Sequence, residues 1–317
     1  MCYNEKTVNN FFKEEEMKNK IKSIWRYRFT YLLAVPGIIF MTIFSYFPIY
    51  GLTLAFKDLN YKKGILGSPW VGFENFKDLF QDSQFWDVLG NTVAINIYNI
   101  IFGFTFIIFL ALMLNEIKSP LVKRVTQTCV YLPYFISWVI FAGLVMTFLS
   151  TEKGFVNDLI VAFGGEKINF LGTPEYFRAV LIITNVIKTA GYNTIIYLAA
   201  MSSVNPDLYE SAQLDGANRF HMMIHITLPR ILPTVAVLLI LQVASLFSSN
   251  FDQVFNLYSP MVYETGDVIS TYMYRVGLQG SNFEQGTAMG LILNLFNLVA
   301  IFVANKFIKK MDVMGIF

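Results

Sequence analysis

The stretch ESAQLDGANRFHMMIHITLP, Glu210 to Pro229, interrupts two long apolar runs with a short polar segment centred on a glycine. Asn205 and Pro206 precede it, and they suit a helix start: the Asn side chain caps free N–H groups, and proline is harmless in a first turn. A short helix through Leu214 follows. Gly216 supplies the backbone freedom for a sharp reversal, and a second short helix is expected from Asn218 to Ile226, ended by Pro229. Ser211 and Ala212 form a small-residue face beside Leu208 and Leu214, which suits docking into a groove of another protein. A plain solvated loop has little need of the apolar Phe220, Met223, Ile224 and Ile226.

The surroundings of this segment define its setting. Of 317 residues, 55% are hydrophobic and 15% charged, which lies outside the range of soluble domains and indicates a membrane protein. A net charge of +2, with basic residues spread along the chain, gives no reason to invoke nucleic acid. Cys2 and Cys129 are far apart and lack metal-ligand companions, so neither a disulfide framework nor a zinc site is expected. No apolar signal stretch precedes Cys2, and residues 1–28, with seven Lys and Arg, read as a cytoplasmic tail.

A hydrocarbon core of about 30 Å needs about 20 mostly apolar residues per helix. Six stretches qualify: 29–56, 88–114, 128–149, 179–204, 231–251 and 286–308. Apolar runs of this length lack the alternation of strands, and the expected fold is an all-α membrane protein. With the amino terminus inside, the inner segments hold fifteen Lys and Arg and the outer segments eight. That bias places both termini, the last being the short tail 309–317, and the 205–230 loop in the cytoplasm of a multi-pass cell-membrane protein.

Glu210, Ala212, Asp215, Gly216, Ala217, Phe220, Ile226, Leu228 and Pro229 together resemble the EAA signature, E-A-A-x-x-D-G-A followed by I-x-L-P. Permease subunits of binding-protein-dependent ATP-binding-cassette importers carry it, and Ser211 is the one departure. The segments FPIYGLTLAFKD from Phe47, GSPWVGFENF from Gly67, YLPYFISWVIFAG from Tyr131 and VYETGDVISTYMYRVGL from Val262 are similar to the LplB-type carbohydrate branch, close in plan to the larger maltose permease subunit. The resemblance implies a type I importer permease fold with a coupling hairpin between the fourth and fifth spans. It implies an extracellular solute-binding lipoprotein, a second homologous permease, two cytoplasmic ATPases and an oligosaccharide cargo, with amino-acid or metal cargo as the alternative. In the family the hairpin sits in a cleft of the ATPase. Carried over, the coupling residues are Glu210, Ser211, Ala212, Leu214, Asp215, Gly216, Ala217, Phe220, Ile226 and Pro229.

Residue chemistry agrees with a transport subunit. No G-x-x-x-x-G-K-[ST] occurs, so ATP and Mg2+ belong at the partner ATPase and no cofactor is expected on this chain. His221 and His225 stand four apart without the glutamate of a H-E-x-x-H site, and no nucleophile elbow is present, so neither a metal nor an enzyme activity is expected. Secondary transporters offer a rival with as many spans, but they have no use for the hairpin.

Polar residues within the spans mark a candidate substrate pathway. Thr92, Asn96, Asn99 and Gly103 share one face of the second span, Gln242, Ser245, Ser249 and Asp252 one face of the fifth, and Asn294 with Asn297 lie in the sixth. Such faces line a wet cavity or hydrogen-bond between helices. Lys188 is an intramembrane charge expected to face the interior, on the pathway or in an ion pair, near Asn185, Tyr192, Asn193 and Trp138. The outer segment from Ser259, with Tyr263, Glu264, Asp267, Tyr272 and Arg275, is either a contact for the binding protein or packed among the outer loops.

Overall fold

The computed structural model describes residues 25–248 and 250–309, and of residues 307–309 the backbone only. Cys2, Ser249 and most of the expected tails 1–28 and 309–317 lie outside the described residues. All named elements are helical, and the strand-like pairing among the described residues is an isolated bridge between Lys57 and Trp70. Helices satisfy their backbone polar groups within one segment, as a bilayer requires.

Contacts divide the chain after Thr53. In the first unit, α1 (Arg28–Met41) continues through a π-helical turn, Thr42–Tyr46, into a 3-10 stretch beginning at Phe47. None of Arg28–Met41 is buried, and apolar side chains surround the helix on all sides, the composition of a lipid-facing span.

In the second unit, α2 (Ser83–Tyr98), a π-helical turn at Asn99–Phe104 and α3 (Thr105–Glu116) form one span of 34 residues. The third apolar run, expected as one helix over 128–149, is instead a broken pair. Its members, α4 (Pro120–Phe135) and α5 (Trp138–Leu149), meet at 104°. Pro133 cannot donate a backbone hydrogen bond near the end of α4, and the Ser137 hydroxyl accepts from the Ile140 N–H at 3.4 Å to begin α5. The fourth span, α6 (Pro174–Ser202), is unbroken.

Two further boundaries differ from those expected. After α7 (Asp207–Leu214), the chain enters α8 (Arg219–Met222), a π-helical turn at Met223–Thr227 and α9 (Leu228–Val243) as one run from Arg219 to Val243. Pro229 therefore does not end a short helix. It sits in the first turn of α9, just after the π-helical turn, where a missing N–H is accommodated. The fifth span, expected over 231–251, stops at Val243, and turns lead to α10 (Phe251–Leu257). The short α11 (Ile269–Met273) precedes the last span, α12 (Phe283–Lys309). Among the described residues five helices are thus long and apolar enough to cross a membrane, and six if the bent pair counts as one span.

Helix α6 is central to this unit and packs against α3, α4 and α9. Phe104, Ile107, Ala111, Ala190, Tyr197 and Ile231 are buried in the shared core. Gly191 lets α6 approach α4: a Cβ there would lie 2.0 Å from the carbonyl oxygen of Val130. Small residues give transmembrane helices this closeness, since van der Waals packing replaces the hydrophobic drive that lipid removes.

Candidate functional site

The hairpin between the fourth and fifth spans is held by its own side chains. The Asn205 side chain accepts from the Asp207 N–H at 3.0 Å, as expected of a helix start. Gly216 adopts φ +81°, and the Gly216 and Ala217 N–H groups donate to the carbonyls of Gln213 and Ala212 at 3.1 and 2.9 Å. This left-handed glycine end closes α7. Asn218 then opens α8, its side chain accepting from the His221 N–H at 2.8 Å. The Tyr209 hydroxyl meets the buried Thr227 hydroxyl at 2.9 Å and fastens α7 to the long helix.

The outward side of the hairpin is unusually apolar for a rigid, exposed structure. Leu214 is 90% and Phe220 66% exposed, while Met222 and Met223 beside them are buried. Glu210, Ser211 and Asp215 are exposed, with the Ser211 hydroxyl donating to the Asp207 carbonyl. Ala212, Asp215, Gly216, Ala217, His221 and Ile226 line a shallow cavity of ≈ 500 Å³. The His221 and His225 rings stack with centroids 4.0 Å apart, and no cluster of three or more metal-ligating side chains occurs among the described residues.

The polar faces expected in the spans converge in part. Asn96 and Asn99 of the second span, Asn185 of α6, and Gln242 and Ser245 at the end of the fifth border one cavity of ≈ 80 Å³, room for a few water molecules. Asn185 donates to Asn99 across the helices at 3.0 Å. Asp252 is exposed on α10, beyond the break, so the fifth-span face does not continue to it as one helix. Asn294 is exposed, Asn193 half-buried, and Tyr192 stacks on Tyr134 with centroids 4.0 Å apart.

Other side chains of the expected pathway hold unwound backbone. Lys188, buried on α6, donates from Nζ to the carbonyls of Pro133 at 3.1 Å, Tyr134 at 3.3 Å and Ile136, the three acceptors freed where α4 ends. Its ammonium also lies 5.1 Å from the Trp138 ring centroid and 5.6 Å from that of Phe141. Among the described residues Lys188 has no ion pair, and its partners are carbonyls and rings. At the fifth-span break, Asn96 donates to the carbonyls of Leu246 at 2.8 Å and Ser248 at 2.5 Å. Asn297 reaches the same turn from α12, accepting from the Phe247 N–H and donating to the Ser248 hydroxyl, both at 3.0 Å. Irregular backbone at membrane depth persists where protein groups satisfy it.

The end opposite the hairpin is built on buried ionic groups. Asp267, 1% exposed, pairs with Arg275 at 2.6 Å and accepts from the Thr271 hydroxyl at 2.7 Å. Tyr272, 3% exposed, donates to Asp82. Burial, then the Asp82 carboxylate, raises its phenol above the usual range, so the donor stays protonated. Asp267 and Tyr272 therefore brace the segment from within and present no surface, contrary to the expectation of a binding-protein contact. Glu264 is exposed, and Tyr263 and Arg275 are half-buried with the guanidinium 4.6 Å from the Tyr263 ring centroid.

Two groups escaped sequence reading. Gln253 borders the small cavity and donates to the Leu181 carbonyl at 2.6 Å and the Thr184 hydroxyl at 2.9 Å. Asn91, also buried, donates to the Glu264 carbonyl at 2.9 Å and accepts from Arg178 at 2.8 Å. Gln253 lies just past the expected fifth span, and Asn91 carries no signal beyond falling inside the apolar run of the second.

Comparisons with known proteins agree with this geometry. A family model described as "Binding-protein-dependent transport system inner membrane component" matches residues 103–313. The chain is 40% identical to the polygalacturonan/rhamnogalacturonan transport system permease protein YteP of Bacillus subtilis, over 96% of this chain and 95% of that protein. It is 38% identical to protein LplB of the same organism, over 92% of each. Among solved structures, a chain of a bacterial ABC transporter involved in import of the acidic polysaccharide alginate superposes with a TM-score of 0.85 and 44% identity, covering 92% of this chain and 99% of that one. A bacterial alginate ABC transporter in complex with an alginate pentasaccharide-bound periplasmic protein gives 0.84 and 43%, covering 93% and 99%. The chain belongs to the family of binding-protein-dependent transport system inner membrane components, and is a membrane-embedded transport subunit rather than an enzyme.

Proposed function

We propose that this permease forms half of the translocation pathway of an ATP-binding-cassette importer for oligosaccharides, powered through the 205–230 hairpin. The observation that carries the coupling role is the exposure of Leu214 and Phe220 on a hairpin whose backbone is pinned by Asn205, Gly216, Asn218 and Tyr209. Rigid apolar side chains standing in water imply a partner groove. The hairpin docks in a cleft of a separate ATPase, with Glu210 meeting a basic group, Ala212 and Ala217 allowing close approach, and Ser211, Asp215, Ile226 and Pro229 shaping the contact. ATP and Mg2+ act at that ATPase.

The hairpin and both termini then face the cytoplasm, in line with the distribution of Lys and Arg. The opposite end receives cargo from an extracellular solute-binding lipoprotein, a role supported by the relative captured with its loaded periplasmic protein. Tyr263, Glu264 and Arg275 are the outer-segment groups with surface to offer it. A second homologous permease completes the pathway, and a pair of ATPases drives it. Within this chain the polar cavity between Asn96, Asn99, Asn185, Gln242 and Ser245 lies on the route, with Asn193, Tyr192 and Asn294 as further contacts; Lys188, Trp138 and Asn297 shape the route by holding its broken helices. Relatives that carry pectic and alginate polymers support a saccharide cargo.

Reconstitution of the permease pair with ATPases and binding protein tests this function. Vesicles should accumulate galacturonate oligosaccharides only when ATP and loaded binding protein are both supplied. Accumulation of an amino acid or a metal ion, with none of sugar, would overturn the cargo.

A further inference from the structure

A cavity of ≈ 580 Å³ opens at the end opposite the hairpin, lined among others by Gln84, Trp86, Asp87, Arg178, Tyr263 and Glu264. Its size falls in the range of small-molecule sites, about 300–1,000 Å³. Arg178, in the first turns of α6, is the cation of this cavity. Asn91 orients it, accepting from Nη2 at 2.8 Å while donating to the Glu264 carbonyl at 2.9 Å, and Asn91 is itself 7% exposed.

Arg178 is incompletely satisfied within the chain. Among the described residues no carboxylate lies within ion-pair distance of it, and its Nε is buried without a hydrogen-bond partner. Asp267, the carboxylate buried at the cavity wall, is committed to Arg275 at 2.6 Å. A guanidinium has five N–H donors in a fixed fork that matches a carboxylate. The buried Nε is out of a ligand's reach, but the terminal nitrogens, which hold one bond from Nη2 to Asn91, keep donors for an anionic group in a roomy cavity.

We propose that this cavity receives one acidic sugar unit of the cargo, with Arg178 binding its carboxylate. The proposal rests on the oligosaccharide reading and names the chemical class of the sugar. A uronate unit carries one carboxylate among several hydroxyls. Asp87, Glu264 and Gln84 supply acceptors for the hydroxyls, and Trp86, 47% exposed, offers an aromatic face to the C–H side of the ring. The Asp87 and Glu264 carboxylates oppose negative charge in the rest of the cavity, so the ligand carboxylate is held where the Arg178 fork meets it and the other carboxylates of an oligouronate lie outside.

The test uses the assembled importer in nanodiscs, without binding protein, and two probes: galacturonate trisaccharide and the same trisaccharide with its carboxyl groups reduced to alcohols. Saturation-transfer NMR titration should give tighter binding of the acid, an Arg178→Gln variant should weaken the acid at least tenfold, and the reduced probe should bind both proteins alike. Arg178→Lys, which keeps the charge and loses the fork, should fall between. Equal affinity of wild type and Arg178→Gln for the acid would overturn the proposal. So would a variant that binds the acid normally yet no longer responds to loaded binding protein, which would assign Arg178 to that protein's docking. Uptake by the wild type separates the two readings: transport of both probes with no Arg178 effect sinks this site alone, and transport of neither sinks the oligosaccharide reading with it.

Discussion

The ammonium of Lys188 on the fourth span lies 3.1 Å from the carbonyl oxygen of Pro133 on the third. Tyr134 and Ile136 give it two further carbonyls, so one side chain satisfies the backbone that the 104° bend releases. In hydrocarbon, where water cannot do this, the break exists because a neighbouring helix brings a cation to it.

Lys188→Met keeps the length of the side chain and removes its donors. Each buried acceptor left without a partner costs about 1–3 kcal/mol, so the midpoint of thermal unfolding in detergent should fall markedly. Lys188→Arg should recover part of the loss. An unchanged midpoint for Lys188→Met would show that the break stands without it.

Asn96 and Asn297 hold the fifth-span turn together, since both bond to Ser248. Asn96→Leu and Asn297→Leu should each destabilise by about 1–3 kcal/mol. The double variant should lose less than the sum, by about 0.5 kcal/mol or more, because the second change acts on a turn already released. Strict additivity in unfolding measurements would mean that the two residues act on separate structures.

Gly191→Ala places a methyl group 2.0 Å from the Val130 carbonyl oxygen, and backbone cannot step aside as a side chain does. Separation of α4 and α6 should cost about 1–3 kcal/mol or more and lower the yield of folded permease. Gly143→Ala, with nothing within 4 Å, is the matched control and should be neutral. Equal yields of the two variants would contradict the close approach.

Much of this architecture is legible in the chain because length and apolarity are what a bilayer demands. The first, second, fourth and sixth spans, and the glycine turn at Gly216, follow from that demand and from local backbone chemistry. The breaks do not. Pro133 and Ser137 sit in a run as apolar as any straight span, and the groups that make a bend tolerable, Lys188, Asn96 and Asn297, come from other helices. Read one span at a time, those three are polar residues in search of a role, and a pathway is the natural assignment. Pro229 misleads in the opposite way, since a helix-breaking residue is harmless when it falls in the first turn of α9. Buried Asp267 and Tyr272 look like surface groups until Arg275 and Asp82 are seen beside them.

The coupling role of the hairpin is tested most directly by separating ATP hydrolysis from sugar movement. Glu210→Lys reverses a charge expected to meet a basic group of the ATPase, and Leu214→Asp puts a charge where an apolar side chain stands 90% exposed. In vesicles holding the complete importer, either variant should reduce uptake of galacturonate oligosaccharide at least tenfold while the ATPase retains its basal hydrolysis. Wild-type uptake with both changes in place, at equal amounts of assembled complex, would contradict the account.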